Sequence, residues 1–555
     1  MIRPSTRLTR LLGAPLVIAC AGRPSLHTTS APGLAAAESL YADLRDIRDH
    51  IDVTLASGHT GINDATPVAA WVENHNTLRR SVAARLAEID SAYLKVEDGR
   101  ALGVMRRALV GDLDSLVPPT AVAVASAPPN CAYEAQEMLG LPKGLDSLRA
   151  RAYACYGWAQ SHVVVGADTL DRLTILGTLG RTADPARRRQ LFLALEPVWR
   201  SVNGDNRAIS PYRVLGAETH RQQKGPLPSL VQVSASGVSP DSLEPWLLAM
   251  LETWRKAGPD SLIEPWNWYY RMGEASRALS GRISRERLTQ LNATVYRSLG
   301  ADVEKLGIHY DVEPREGKTP VAYTTFGARP RFMNGAWRQG EPWIFATYRT
   351  GGLDNLSELL HETGHAVHIA AIRTRPAFAD WPDSDPFTEA LADFVALEVT
   401  EPAWQHQWLG DSVPLSQGLR ARYSGIVMDV AWALFEMRMQ RDPAADPNQV
   451  WTTLTRDYLR IRPHPELSWW AMRGQLVHAP GYMMNYAAGA MLIAAIRART
   501  RELHGQFTTG DRTWYGWIAP RLFRYGQERP SRQVIEEFLG GPVTPAAILA
   551  DMGRR

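Results

Sequence analysis

The sequence predicts a mainly α-helical protein, and three observations carry that expectation. Apolar residues recur at helical spacing over Ala36–Ala56, Trp71–Tyr93, Pro240–Ala257 and Ser284–Leu299. Only one long interval, about Tyr310 to Tyr348, stands out as non-helical. The two segments with the most distinctive chemistry, HETGHAVH (His361–His368) and DPFTEALADFVALEV (Asp385–Val399), both carry apolar stripes of helical period. The 555 residues are 45% hydrophobic, and 61 Lys and Arg against 58 Asp and Glu leave a net charge of +3. Such a chain is globular, and nothing in its charge implies a nucleic-acid-binding face. No linker or internal repeat divides it cleanly, and nothing sets its oligomeric state.

At the N-terminus, Arg3, Arg7 and Arg10 precede a short apolar run, Leu11 to Ala19, and no acid appears before Glu38. This is the make-up of a targeting leader, and the run is too short to span a membrane. VIAC, Val17 to Cys20, resembles a bacterial lipoprotein signal-peptidase box. The expected organisation is therefore a signal peptide over 1–20 with a lipidated Cys20, a tether over 21–37, and a helical domain over 38–555 whose active site falls in 310–500. This places the protein in a bacterial cell envelope, held to the membrane by its lipid. Secretion after Ala35–Ala37 and a mitochondrial presequence are the alternatives. Further on, VPPTAVAVASAPPN (Val117–Asn130) reads as a long loop. Cys131 and Cys155 permit one disulfide or two reduced thiols.

In the non-helical interval, the apolar and aromatic run Trp343–Tyr348 reads either as an edge strand that pairs with a substrate backbone or as a core strand. Next comes LDNLSELL (Leu353–Leu360), where Asp354 or Asn355 can cap a helix running into HETGH. On that helix His361 and His365 lie one turn apart on one face, so both imidazoles can reach a single zinc ion with Glu362 beside it. A carboxylate buried beside two histidines is costly unless a cation offsets it, which a divalent metal does most simply. Glu389 can complete a His2Glu set with an open fourth position, the pattern of catalytic zinc. Asp393, one turn further, can accept the free ring N–H of a ligand histidine, first of all His361. His368 stands two turns, about 10 Å, from His361 and belongs to the cleft wall or the core.

A third segment, VHAPGYMMNYAAGAML (Val477–Leu492), suggests a helix opening near Pro480, with His478 just ahead of it and Tyr482 and Tyr486 one turn apart. A histidine and two phenols would thus project together. Of the two, Tyr486 is favoured to face the metal, because Ala487, Ala488 and Gly489 let a neighbouring helix pack closely behind it.

HETGHAVH with FTEALADFVALEV resembles the gluzincin metallopeptidases, and within them the angiotensin-converting-enzyme family of peptidyl dipeptidases and the related thimet oligopeptidase family. The likeness is closest from Phe387 to Trp408, includes the His365 to Glu389 spacing, and extends loosely over Asp184–Gly204 and Pro342–Arg349. It implies a two-lobed helical body with a deep central channel and a small β element next to the HExxH helix. It also implies one zinc ion on His361, His365 and Glu389, Glu362 as general base, and His478 with Tyr486 or Tyr482 as oxyanion donors. The implied activity is zinc-dependent hydrolysis of short unfolded peptides, in peptidyl-dipeptidase fashion. Internal oligopeptidase action and a catalytically inactive peptide-binding lipoprotein are the alternatives. The pattern breaks at two positions: Leu476 stands where a carboxylate-binding lysine is expected, and Asn485 where a chloride-binding arginine is expected. Arg473 or Gln475 could substitute for the lysine.

Overall fold

The computed structural model describes residues 32–57, 66–116, 128–131, 144–223, 225–258, 261–315, 318–319 and 321–554. The expected leader with Cys20, the tether as far as residue 31, and residues 117–127 of the expected loop lie outside them. Helix α1 (Pro32–Ser57) starts earlier than its pattern suggested, because Leu34 and Ala37 are already buried against Val82, Leu86 and Met105. The end of the expected tether, 32–37, is therefore packed helix. The next helix, α2 (Thr66–Ala87), stops short of Tyr93: the Asp90 side chain accepts the N–H of Ala92 and opens a separate tight turn. Helix α3 (Val96–Leu109) completes this N-terminal layer.

A disulfide between Cys131 and Cys155 ties helix α4 (Gly144–Ser161) to the preceding chain, so the two cysteines are joined. An antiparallel hairpin follows, β1 (Val163–Val165) with β2 (Asp168–Leu170). Helix α5 (Pro240–Ala257) has its predicted bounds, with proline in the first turn where its missing N–H costs nothing. The expected helix over 284–299 begins as a tight turn, Arg285–Arg287, before α6 (Leu288–Ser298).

The non-helical interval holds β3 (His309–Asp311), β4 (Tyr323–Ala328), β5 (Arg331–Met333), β6 (Ala336–Arg338) and β7 (Glu341–Phe345). The sheet beside the metal-motif helix has the order β3-β7-β4, with β7 parallel to β3 and antiparallel to β4. This settles the choice left open by the sequence. β7 is a central strand, both its hydrogen-bonding sides are taken, and Ile344 and Phe345 are buried. The edge is β4.

Four helices then build the centre: α7 (Leu353–Ala371), α8 (Asp385–Ala396), α9 (Leu415–Arg441) and α10 (Met483–Leu503). α7 packs on α8, α8 on α10 and α10 on α9, and one continuous apolar core runs through all of them. The architecture is mainly helical with small sheets, one of them against the metal-motif helix, as the sequence predicts. Among the described residues no helix is long and apolar enough to cross a membrane.

Candidate active site

Helix α7 is capped at Gly352, whose φ of 113° favours glycine, rather than at Asp354 or Asn355. Asp354 instead accepts from the Ser276 hydroxyl at 2.9 Å, and Asn355 donates to the Thr350 carbonyl at 2.7 Å. From α6, Tyr296 donates to the Leu360 carbonyl at 2.6 Å and Asn292 to the Thr363 hydroxyl at 2.9 Å, which fixes the rotation of α7 about its axis. Gly364 sets its distance from α8. A Cβ there would stand 2.4 Å from the Ala392 carbonyl oxygen, so the two backbones touch at this residue.

That contact brings the two motif segments together. His361 Nε2 is 3.5 Å and His365 Nε2 3.8 Å from the same Glu389 oxygen, and one donor atom from each residue lies within 4.8 Å of the others. Atoms about 2.0–2.1 Å from a tetrahedral ion sit roughly 3.3 Å apart, so the set is nearly closed around a zinc-sized centre. His361 Nδ1 meets Asp393 Oδ1 at 2.7 Å, which leaves its Nε2 directed at that centre. Burial opposes a proton on His361, but Asp393, helped by Glu389, holds the imidazole well above its ordinary range. Glu389 is likewise penalised by burial, yet the two imidazoles hold it well below the usual carboxylate range. These are the electrostatics of acids and bases converging on one point, and they suit a dication there.

Glu362 is 6% exposed and faces the same space. The Thr324 hydroxyl, on edge strand β4, lies 2.7 Å from Glu362 Oε2 and 2.9 Å from its backbone carbonyl. Tyr482 and Tyr486 line the opposite wall with ring centroids 5.3 Å apart. Burial, and then the nearby Glu389, push both phenols far above 10, so they stand as O–H donors. Together these groups enclose a cleft of about 570 Å³.

One predicted member is not there. His478 ends a short helix, Gln475–His478, is exposed, and stacks on Tyr153 of α4 with centroids 4.4 Å apart. The cause is backbone: Gly481 has φ 87°, the chain turns at 479–481, and α10 begins at Met483 instead of near Pro480. His478 and Tyr482 therefore do not share a face. Of the two places open to His368, cleft wall or core, it takes the core: fully buried between Trp381 and Phe523, with burial lowering its imidazole to about 3. Arg473 pairs with Asp429 at 2.6 Å, and Gln475 hydrogen-bonds Tyr486. Thr324, Trp381, Asp385 and Asp429 line the cleft without having been foreseen. Only Asp429 carried a signal, as an acid inside the apolar run Ile426–Phe435.

No protein-family model and no curated protein matches the sequence. Solved structures do. An M32 carboxypeptidase from Deinococcus radiodurans R1 superposes with a TM-score of 0.55 at 13% identity, over 94% of this chain and 98% of that one. A putative oligoendopeptidase F gives 0.55 at 14%, over 95% and 96%. Metallocarboxypeptidase 1 of Trypanosoma cruzi gives 0.51 at 14%, over 94% and 99%. At such identities the likeness establishes a shared fold along nearly the whole chain.

Proposed function

We propose that this protein is a zinc metallopeptidase that hydrolyses peptide bonds in short unfolded peptides. One observation carries the reading: His361, His365 and Glu389 converge within 4.8 Å beside the buried carboxyl of Glu362. Solved metallocarboxypeptidases and an oligoendopeptidase of the same fold support it. Those three residues would hold one zinc ion, which when bound supplies Lewis-acid polarisation of the scissile carbonyl and a lowered water pKa. Glu362, oriented by Thr324, takes the proton of the attacking water and passes it to the leaving amine. Tyr482 and Tyr486 donate hydrogen bonds to the carbonyl oxygen as it gains charge. Asp393 keeps His361 in the tautomer that presents Nε2.

The narrower assignment, peptidyl-dipeptidase action of the converting-enzyme type, rests on the sequence motifs. The cleft favours internal cleavage instead. Among the described residues that line it there is no Lys or Arg to receive a terminal carboxylate, and Arg473 is engaged by Asp429. Zinc content and cleavage of a quenched peptide library test the whole reading. Glu362→Gln should keep zinc and lose turnover by about 10³-fold, whereas His361→Ala should lose both. Cleavage retained in Glu362→Gln would sink the proposed base, and the mapped cut sites decide between terminal and internal action.

We place the protein in the cell envelope, bound through lipid on Cys20. The Cys131–Cys155 disulfide supports an oxidising compartment. In membrane fractionation, Cys20→Ser should move the protein to the soluble fraction, and a variant that stays membrane-bound removes the anchor.

A further inference from the structure

Tyr486 lies inside α10, whereas Tyr482 is the N-cap at its start: its carbonyl accepts the N–H of Asn485 at 2.9 Å and its own N–H donates to the Ala479 carbonyl at 3.0 Å. A further hold, on the amides to either side of it, comes from another element. Glu436 projects from α9, directly after the buried run Val430–Phe435, and is itself 3% exposed. Its Oε1 accepts the N–H of Gly481 at 2.6 Å, and its Oε2 accepts the N–H of Met483 at 3.1 Å. The two amides are those on either side of Tyr482. Position 481 requires glycine, since its φ is 87° and a Cβ there would stand 2.3 Å from the Ser229 hydroxyl.

Among the described residues no salt bridge is made by Glu436, so a carboxyl that is costly to bury is kept for these two amides. Burial pushes it up to about 8 against their pull. With or without its proton, each oxygen still presents a lone pair to its amide.

Resting on the peptidase reading above, we propose that Glu436 is a positioning residue: by gripping the backbone on both sides of Tyr482 it sets where that phenol stands over the metal cleft. A glutamine at 436 would fill the same space but turn an NH2 group toward one of the amides, breaking half of the grip.

The test combines kinetics with a readout that needs no activity. In zinc-loaded protein, Glu436→Gln should leave zinc content and KM unchanged and lower kcat by about 10-fold, and Tyr482→Phe should lower kcat by about 100-fold. The double variant should be no slower than Tyr482→Phe alone, whereas Glu436→Gln and Tyr486→Phe should multiply. In 19F spectra, Glu436→Gln should shift a 3-fluorotyrosine signal at position 482 and leave one at 486 in place. The inference is overturned if Glu436→Gln slows the Tyr482→Phe enzyme as much as it slows wild type, or if the signal at 482 does not move. A wild type that cuts no peptide defeats the peptidase reading, and the 19F result still decides the placement of Tyr482.

Discussion

Asp393 shows how much one side chain outside the ligand set can control. Its carboxylate, 2.7 Å from His361 Nδ1, determines which imidazole nitrogen would be free for the proposed metal. Asp393→Ala should weaken zinc affinity by about 10- to 100-fold while the helices stay in place, as measured by competition with a chelator. An affinity equal to wild type would show that His361 needs no orienting partner. At this scale the sequence was informative wherever helical spacing alone decides adjacency. His361, Glu362 and His365 share one helix, and Glu389 and Asp393 another, so their relations could be read from residue numbers. His478 could not. One left-handed residue, Gly481, redirects the chain before Tyr482, and sequence period does not report φ. Thr324 was illegible for a similar reason, because its place beside Glu362 depends on how a strand lies across a helix.

Between elements, the controlling contact is that of α7 with α8. Gly364 lets the two backbones meet at Ala392, and the ligands of one helix reach the ligand of the other only at that separation. Gly364→Ala is a helix-favouring change by propensity, but here its methyl group must push the helices apart. It should cost about 3 kcal/mol in unfolding free energy and reduce zinc occupancy; full stability with full zinc would mean that the helices can separate freely. Helix bounds were read well where proline or an apolar stripe marks them, as in α5. The order β3-β7-β4 could not be read. Three-residue strands such as β3 carry too little alternation, and the parallel pair of β3 with β7 joins segments that are not neighbours in sequence.

Across the whole molecule, α1 is fastened to the half that carries the candidate site by buried charge. Arg329 bonds Asp49 at 2.7 Å and Asp380 at 2.6 Å, and Arg375 bonds Glu38 at 2.7 Å and Asp98 at 2.8 Å. Such pairs add little net stability, yet losing one partner leaves a charge stranded in the interior. They specify one docking position. The first helix also packs on β4, the strand that brings Thr324 to Glu362, so the start of the described chain underlies the site made by its middle. A helical period marks α1 in the sequence, but nothing there hints at this seating, because ion pairs between distant segments leave no local pattern.

That seating has a consequence for synthesis. The groups joined by the two arginines lie 280 and 337 positions apart along the chain, contacts of very high order. At about 5–20 residues per second, α1 waits roughly 15 to 60 s on the ribosome for its arginines to be made. The tyrosines come later still. A nascent chain therefore cannot assemble the full lining of the cleft until both tyrosines have been made.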